Sequence, residues 1–300
     1  MARPKARQLT PNAEPESFPR TQDLPTHSPI FWAENKDRLL RQLMIRDIEG
    51  LTKRRLCVYF CNPYIETPLS DEDVARLYEI VNADKRAPFD LMLETAGGET
   101  DATEGLVSML REISGDFRVI VPSRAKSNGT MICLAGTEIV MGPPSELGPV
   151  EPFLAHVPTS ILMTPEYKDI DYVLHRAGID ASRQTKELAD RLLRTGMMKR
   201  ASKKQRSETV QKLCTRDHFH SHGSVINAAE AHALGLKVRS LTGEDPLFSR
   251  CWLLNRMYAF DCKLRKIGKI FEGRMNSRSI FGEDPQYGNG DANGSQAIVR

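Results

Sequence analysis

Three hundred residues, 40% of them hydrophobic, hold enough apolar material for one large domain or two modest ones. The net charge of +3 is too small for whole-protein attraction to nucleic acid or acidic membranes. No run approaches eighteen consecutive apolar residues, which excludes a membrane-spanning helix.

The N-terminal stretch "MARPKARQLTPNAEPESFPRTQDLPTHSP" has basic residues but no apolar core, so it is not a secretory signal. Its prolines and polar residues predict a flexible arm over residues 1–30, and "EDPQYGNGDANGSQAIVR" predicts a disordered tail over 283–300. "FWAENKDRLLRQLMIRDIEGL" has helical apolar spacing. "RLCVYFCN" is a short β-rich run, and "LSDEDVARLYEIVNAD" is an amphipathic helix behind a cap-like Ser70. "FDLMLET" reads as a buried strand stopped by Gly97-Gly98, "DATEGLVSMLREIS" as a helix with an Asp cap, and "FRVIVPS" as a further strand. "NGTMICLAGT" is a short helix and "EIVMG" a strand ended by Gly142.

Residues 165–213 read as long polar helices, with the basic run from Lys199 to Arg206 on a solvated face. "SVINAAEAHALGLKVRSL" predicts a helix ended by Gly235 and then a strand, and "CWLLNRMYAFDCKLRKIGKIFEGR" a helix and a final strand. Strands that are continuous apolar runs, separated by helices, imply a mostly parallel α/β sheet covered on both faces. Cys57, Cys61, Cys133, Cys214, Cys251 and Cys262 form no CxxC pair and sit mostly among apolar neighbours. They read as reduced, buried thiols of a cytoplasmic protein.

Chemistry in such folds gathers where strands end and helices begin, because helix N-termini offer free N–H groups and positive potential. Two features lie at such junctions, the Gly97-Gly98 turn and Ser127 in "PSRAKSNGTMICLAGTEIVMG". Ser127 reads either as a nucleophile at a helix N-terminus or as a helix cap. In the first case the N–H of Asn128 and that of Gly98 would supply two oxyanion donors. "AGGETDATEG" is neither a GxGxxG nor a Walker loop.

"LMLETAGGETDATEGLVSMLRE" followed by "FRVIVPSRAKSNGTMICLAGTEIVMGPPSELGPVEP" resembles the serine dehydrogenase proteinase family. That family belongs to the wider group of the Clp peptidase, signal peptide peptidase A and the crotonases. Its pattern is similar to T-P-G-G, then A-x-S-A-G-T, D-E-I-V-M-G and L-G-P-(I/V)-(D/E)-P. A weaker likeness to H-D-x-P-I and E-A-x-x-L-G-L runs through "HGSVINAAEAHALGLKV". The resemblance covers roughly residues 35–245, and the chain departs from the pattern at Ala96 (proline in the family) and Asn128 (alanine).

The resemblance implies a Clp/crotonase-like spiral of ββα units over residues 31–245, with an extension of added C-terminal helices and a strand over 246–282. It also implies a homo-oligomer acting on peptides or proteins, with Ser127 as nucleophile and Gly97, Gly98 and Asn128 at the oxyanion hole. The general base is not marked. "ELGPVEPF" holds no histidine where the Clp peptidase has its base. The candidates are Lys168, at the spacing of Ser–Lys relatives, His156 just beyond the "LGPVEP" turn, and His222, which matches the family's motif histidine. Lys168 is flanked by Asp169 and Asp171, acidic neighbours that a catalytic base lysine does not call for.

His218, His220 and His222 would share one face of an extended strand, as zinc ligands can. No fourth ligand stands at a familiar spacing, so no metal is expected. No cofactor, nucleic-acid partner or integral membrane segment is expected either. The leading function is a serine peptidase. A non-catalytic peptide-binding scaffold and crotonase-like acyl-thioester chemistry are the alternatives.

Overall fold

The computed structural model describes residues 28–81 and 87–282. The tail expected over 283–300, and all of the expected arm except residues 28–30, lie outside these.

The chain opens with helix α1 (Pro29–Thr52), where the Ser28 side chain accepts from the Phe31 N–H, Pro29 starts the helix, and Lys53 ends it in a left-handed conformation. Then follow β1 (Arg55–Cys61), α2 (Asp71–Val81), β2 (Phe89–Glu94), α3 (Thr100–Ile113), β3 (Phe117–Val121) and β4 (Arg124–Ala125). The next elements are α4 (Asn128–Ala135), β5 (Ile139–Met141), β6 (Glu146–Leu147), β7 (Phe153–Leu154), β8 (Val157–Pro158), α5 (Thr159–Leu162) and α6 (Pro165–Ile170). Helices α7 (Tyr172–Thr195), α8 (Lys203–Cys214) and α9 (Ala228–Ala233) lead to β9 (Val238–Ser240), α10 (Pro246–Arg265), β10 (Ile267–Glu272) and β11 (Ser277–Phe281).

Among the described residues the main sheet has seven strands in the order β11-β10-β1-β2-β3-β5-β9. The five from β1 to β9 are parallel; β10 joins β1 antiparallel and β11 joins β10 antiparallel. A second, short layer sits beyond the carboxyl ends of the strands. It consists of the β4–β6 pair and the bridges Leu69–Gly98, Thr95–Ala125 and Leu147–Ile226. Each of β2, β3 and β5 therefore breaks, continues as one or two bridged residues in the second layer, and β2 and β3 then enter a helix. That is the expected ββα step, and the fold is a Clp-like α/β spiral with a mostly parallel sheet.

Both faces of the sheet are covered. Along β1, Cys57, Tyr59 and Cys61 enter one core, and Leu56, Val58 and Phe60 the other. This is why the strand reads as an unbroken apolar run. All six cysteines are free and buried, and burial pushes the Cys57 thiol up to about 12.

Three local expectations differ from the structure. Asp101 lies inside the first turn of α3, whose cap is Glu99 with no side-chain bond; the carboxylate sits there in the positive field of the helix start. At α2 the Ser70 amide donates to Asp73 (2.8 Å), while the Ser70 hydroxyl meets the Lys269 ammonium (3.2 Å). The C-terminal addition is one helix and two antiparallel strands, not several helices. α10 packs on α1, and β10 lies beside β1 with Val58 opposite Glu272. Among the described residues no helix is long and apolar enough to cross a membrane.

Candidate active site

The two strand ends carrying the motifs are stitched together backbone to backbone. The Thr95 N–H donates to the Arg124 carbonyl and the Lys126 N–H donates to the Thr95 carbonyl, both at 3.0 Å. These bonds set Ser127 against the Gly97-Gly98 turn. A Cβ placed on Gly97 would come 2.7 Å from the Ser127 Cβ and 3.2 Å from the Asn128 nitrogen.

Ser127 has φ 51° and ψ −121°, a backbone state that non-glycine residues rarely occupy and that costs on the order of 1–3 kcal/mol. It precedes the first residue of α4, yet its side chain makes no capping hydrogen bond. A serine kept for the helix end would cap it. This one is held in a strained turn with its hydroxyl free of the helix, as nucleophiles on strand-to-helix elbows are.

Gly98 is also dictated by close approach. Its Cβ would fall 2.1 Å from the Leu69 nitrogen, at φ 157°. Leu69 donates to the Gly97 carbonyl (2.9 Å) and accepts from the Glu99 N–H (3.0 Å). This parallel bridge leaves the Gly98 amide facing the other way. The Gly98 carbonyl accepts from the Asn128 Nδ2 at 2.6 Å, and the same Nδ2 reaches the Thr100 hydroxyl at 3.2 Å. The Asn128 side chain thus ties the glycine turn to α4 where the family has an alanine. Among the described residues, neither the Gly98 N–H nor the Asn128 N–H has a hydrogen-bond partner.

A cleft of about 800 Å³ opens over this junction, lined among others by Gly97, Gly98, Ser127, Asn128, Glu151 and His222. His222 comes from the turn after α8 and packs edge-on against Phe153, with ring centroids 4.6 Å apart. Its Nδ1 is buried without a hydrogen-bond partner among the described residues. Burial pushes this imidazole below its ordinary value of 6.5; Glu151 pulls the other way, and Arg216 and Lys126 add to the depression. Glu151 is buried, accepting from the Ser160 N–H (2.8 Å) and the Arg216 Nε (2.7 Å).

The other two base candidates are not part of the cleft lining. Lys168 is exposed on α6. His156 is exposed at the tip of the β7–β8 hairpin, where Ala155 and His156 both have positive φ. His218 and His220 do not share a strand face with His222, because residues 215–223 turn rather than extend. His220 Nδ1 lies 2.9 Å from the Arg216 carbonyl, and His218 packs on Phe219. Among the described residues no group of His, Cys, Asp and Glu has a metal-holding arrangement.

Sequence reasoning missed Lys126 as a contributor. Its ammonium bonds the Ser224 carbonyl (3.0 Å), lies 3.4 Å from the Gly223 carbonyl, and pairs with Glu146 (3.3 Å). The residue before Ser127 therefore holds the loop that carries His222. Its only sequence signal is its position beside the serine.

The glycine requirement is directly testable. Gly97→Ala forces a methyl onto Ser127 and keeps φ at 108°, so it is expected to destabilise the fold by about 1–3 kcal/mol. Thermal melting should show a drop of several degrees. Unchanged melting would mean the turn relaxes freely.

The family profile of the ClpP-like SDH-type serine proteinases matches residues 44–246, more than half of the chain. An uncharacterized protein of Methanocaldococcus jannaschii is 30% identical over 184 residues, covering 58% of this chain and 60% of the relative. A second uncharacterized protein of that organism is 32% identical over 97 residues, 32% of each chain. The chain thus spans less than two thirds of the length of either curated relative. A solved ClpP1 mutant from Listeria monocytogenes aligns with 66% of this chain and 98% of its own, at 16% identity and a TM-score of 0.40.

Proposed function

Because the chain belongs to the ClpP-like SDH-type serine proteinases, we propose that it hydrolyses peptide bonds through an acyl-enzyme on Ser127. The Ser127 Oγ attacks the peptide carbonyl carbon while its proton passes to the neutral His222 imidazole. The carbonyl oxygen becomes an oxyanion held by the Gly98 and Asn128 N–H groups. The carbon–nitrogen bond then breaks, the His222 imidazolium gives its proton to the leaving amine, and an ester remains on Ser127. Water gives a proton to His222 and attacks the ester carbon. The carbon–Oγ bond then breaks, the imidazolium returns the proton to the Ser127 Oγ, and the carboxylic acid product leaves. Glu151 favours the imidazolium of these steps by its charge.

One observation carries this reading: Ser127 is held at positive φ with its hydroxyl uncapped, beside two amides without partners among the described residues, in a cleft that His222 also lines. His222 is preferred as base over Lys168 and His156 because it alone of the three lines that cleft. The test is a fluorophosphonate probe on the full chain, with the adduct located by peptide mass spectrometry. An adduct on Ser127, with peptide cleavage blocked in proportion, is the expected result. A folded protein that forms no adduct and cuts no peptide favours the non-catalytic scaffold.

The free, buried cysteines fit a cytoplasmic setting. A homo-oligomer is supported by the apolar side chains of Ile161, Ile170, Tyr172 and Val173, exposed around the start of α7. Sedimentation of the chain should show a species heavier than the 33.8 kDa monomer.

Lys126→Met is expected to act through His222. Losing the ammonium frees the His222 loop and removes a charge that depresses the imidazole pKa. Turnover should fall about tenfold, with the acid limb of its pH profile displaced upward. Lys126→Arg should recover part of the loss. A Lys126→Met enzyme with the native pH profile would make the contact purely structural.

A further inference from the structure

Helix α10 is apolar on more than the side it buries. Leu247, Cys251, Leu254, Tyr258 and Cys262 pack into the core beneath it. On its outer side Leu253 is 50% exposed and Phe260 and Leu264 are 65% exposed, with the half-buried Met257 between them. Steps of four, three and four residues set these side chains in one stripe, within roughly 60° of arc. A helix with apolar stripes on two sides is expected to be covered on both. Here the outer stripe stays open to solvent.

Basic residues frame the stripe. The Arg256 guanidinium lies 4.4 Å from the Trp252 ring centroid, and the Lys263 ammonium lies 5.5 Å from that of Tyr64. Arg250 donates to the Pro246 carbonyl at 3.1 Å. None of the three forms a carboxylate ion pair among the described residues. Arg256 does donate to the Asn255 Oδ1 (3.0 Å) and its charge acts on the buried Glu94, which leaves Lys263 as the most exposed cation of the three. Asp261, the one carboxylate within the helix, is buried and bound to Arg41. The basic excess is confined to the helix itself, since Asp37 pairs with Arg265 and Glu66 stands exposed beside Ile65.

The patch continues past the helix end. Tyr64 is 57% exposed beside Lys263, and Ile65 is 43% exposed. Ile65 also lines the Ser127 cleft.

We propose that the outer face of α10 docks onto an anionic membrane surface. Leu253, Met257, Phe260 and Leu264 enter the boundary between headgroups and acyl chains. Arg250, Arg256 and Lys263 reach phosphate groups alongside, in the manner of an interfacial helix. The aromatic rings of Trp252 and Tyr64 suit the same depth. A second copy of the chain fits the face less well. Four partly exposed side chains on one helix fall far short of the roughly 800 Å² per partner of a standard interface. Self-pairing would also bring like charges together. The bound face sits at the edge of the cleft, so docking would leave the cleft beside the membrane.

The test uses the full chain with Trp32→Phe, which leaves Trp252 as the remaining tryptophan. Vesicles of phosphatidylcholine containing phosphatidylglycerol should pellet the protein and shift Trp252 emission to the blue. Vesicles of phosphatidylcholine alone should not, and added salt should reverse the binding. Phe260→Ser with Leu264→Ser should weaken binding at least about tenfold. Arg256→Gln with Lys263→Gln should weaken it by about tenfold or more. Phe260 and Leu264 are exposed, so melting should hold in that variant. Arg256 is half-buried and donates to Asn255, so Lys263→Gln alone, at an exposed position, serves as the fold-neutral charge variant and should weaken binding severalfold. Equal binding to neutral and anionic vesicles, or binding that survives both double variants, overturns the proposal. So does a change of sedimentation coefficient in Phe260→Ser/Leu264→Ser without vesicles, which would assign the stripe to a second copy. Binding to polyglutamate but not to vesicles would assign it to an acidic protein.

Discussion

Ser127→Ala is expected to lower kcat/KM for peptide hydrolysis by about 10⁴-fold or more and to abolish fluorophosphonate labelling. The substitution deletes only the Oγ. Alanine meets the same backbone restriction as serine at φ 51°, so the strained turn is neither relieved nor worsened. The hydroxyl makes no capping bond, so its removal leaves no orphaned donor at the start of α4. Melting should therefore stay within about 0.5 kcal/mol of the native chain, while chemistry is lost. The residual rate would come from direct attack of water on the peptide carbonyl, with the oxyanion held by the Gly98 and Asn128 amides. That combination separates a nucleophile from a cap, because losing a capping serine typically costs about 1 kcal/mol of stability and leaves the rate alone. Native turnover in this variant would remove Ser127 from the mechanism.

Much of this site is legible in the sequence, because its parts are local. A glycine pair that ends an apolar strand, and a serine that precedes an apolar helix, stand out as junctions in the order of residues alone. The central strands are legible for a related reason. Burial on both faces makes β1, β2 and β3 continuous apolar runs that no periodicity test can mistake for solvent-exposed loops. The second layer is not legible. β4 and β6 are two residues long, and the remaining rungs are single bridges, too short to carry a pattern. Neither is the place of β10, since local sequence says that a strand forms but not that it pairs antiparallel with the first one.

Which of the three base candidates lines the cleft is not legible either, for the same physical reason. His222 belongs to a loop placed by long-range contacts: the Leu147–Ile226 bridge and the Lys126 bonds to Gly223 and Ser224. Lys168 stands at the spacing of a Ser–Lys dyad, but helix α6 turns it outward. Sequence distance from a nucleophile is a poor guide when the partner arrives from another turn of a spiral.

His222→Ala is expected to lower turnover by about 10²–10⁴-fold, the usual contribution of a positioned general base. Its pH behaviour gives the sharper test. The working form is the neutral imidazole, so kcat/KM should fall as pH drops through the pKa of His222 in the free enzyme. Burial, the largest influence, holds that pKa below 6.5, with Arg216 and Lys126 acting in the same direction against Glu151. Activity should thus persist into mildly acidic solution where an ordinary histidine would already be protonated. The same shift links to stability. In the unfolded chain His222 takes up a proton near its ordinary value, whereas the folded chain resists it until lower pH. The stabilisation is therefore fully present above the unfolded value, declines as pH falls below 6.5, and is lost once pH passes the folded pKa. His222→Gln should lack this part of the acid-induced drop in melting temperature. It should also lack the acid limb in whatever slow hydrolysis remains. An acid limb at or above the ordinary histidine value, or one that survives His222→Gln, would transfer the proton to another group.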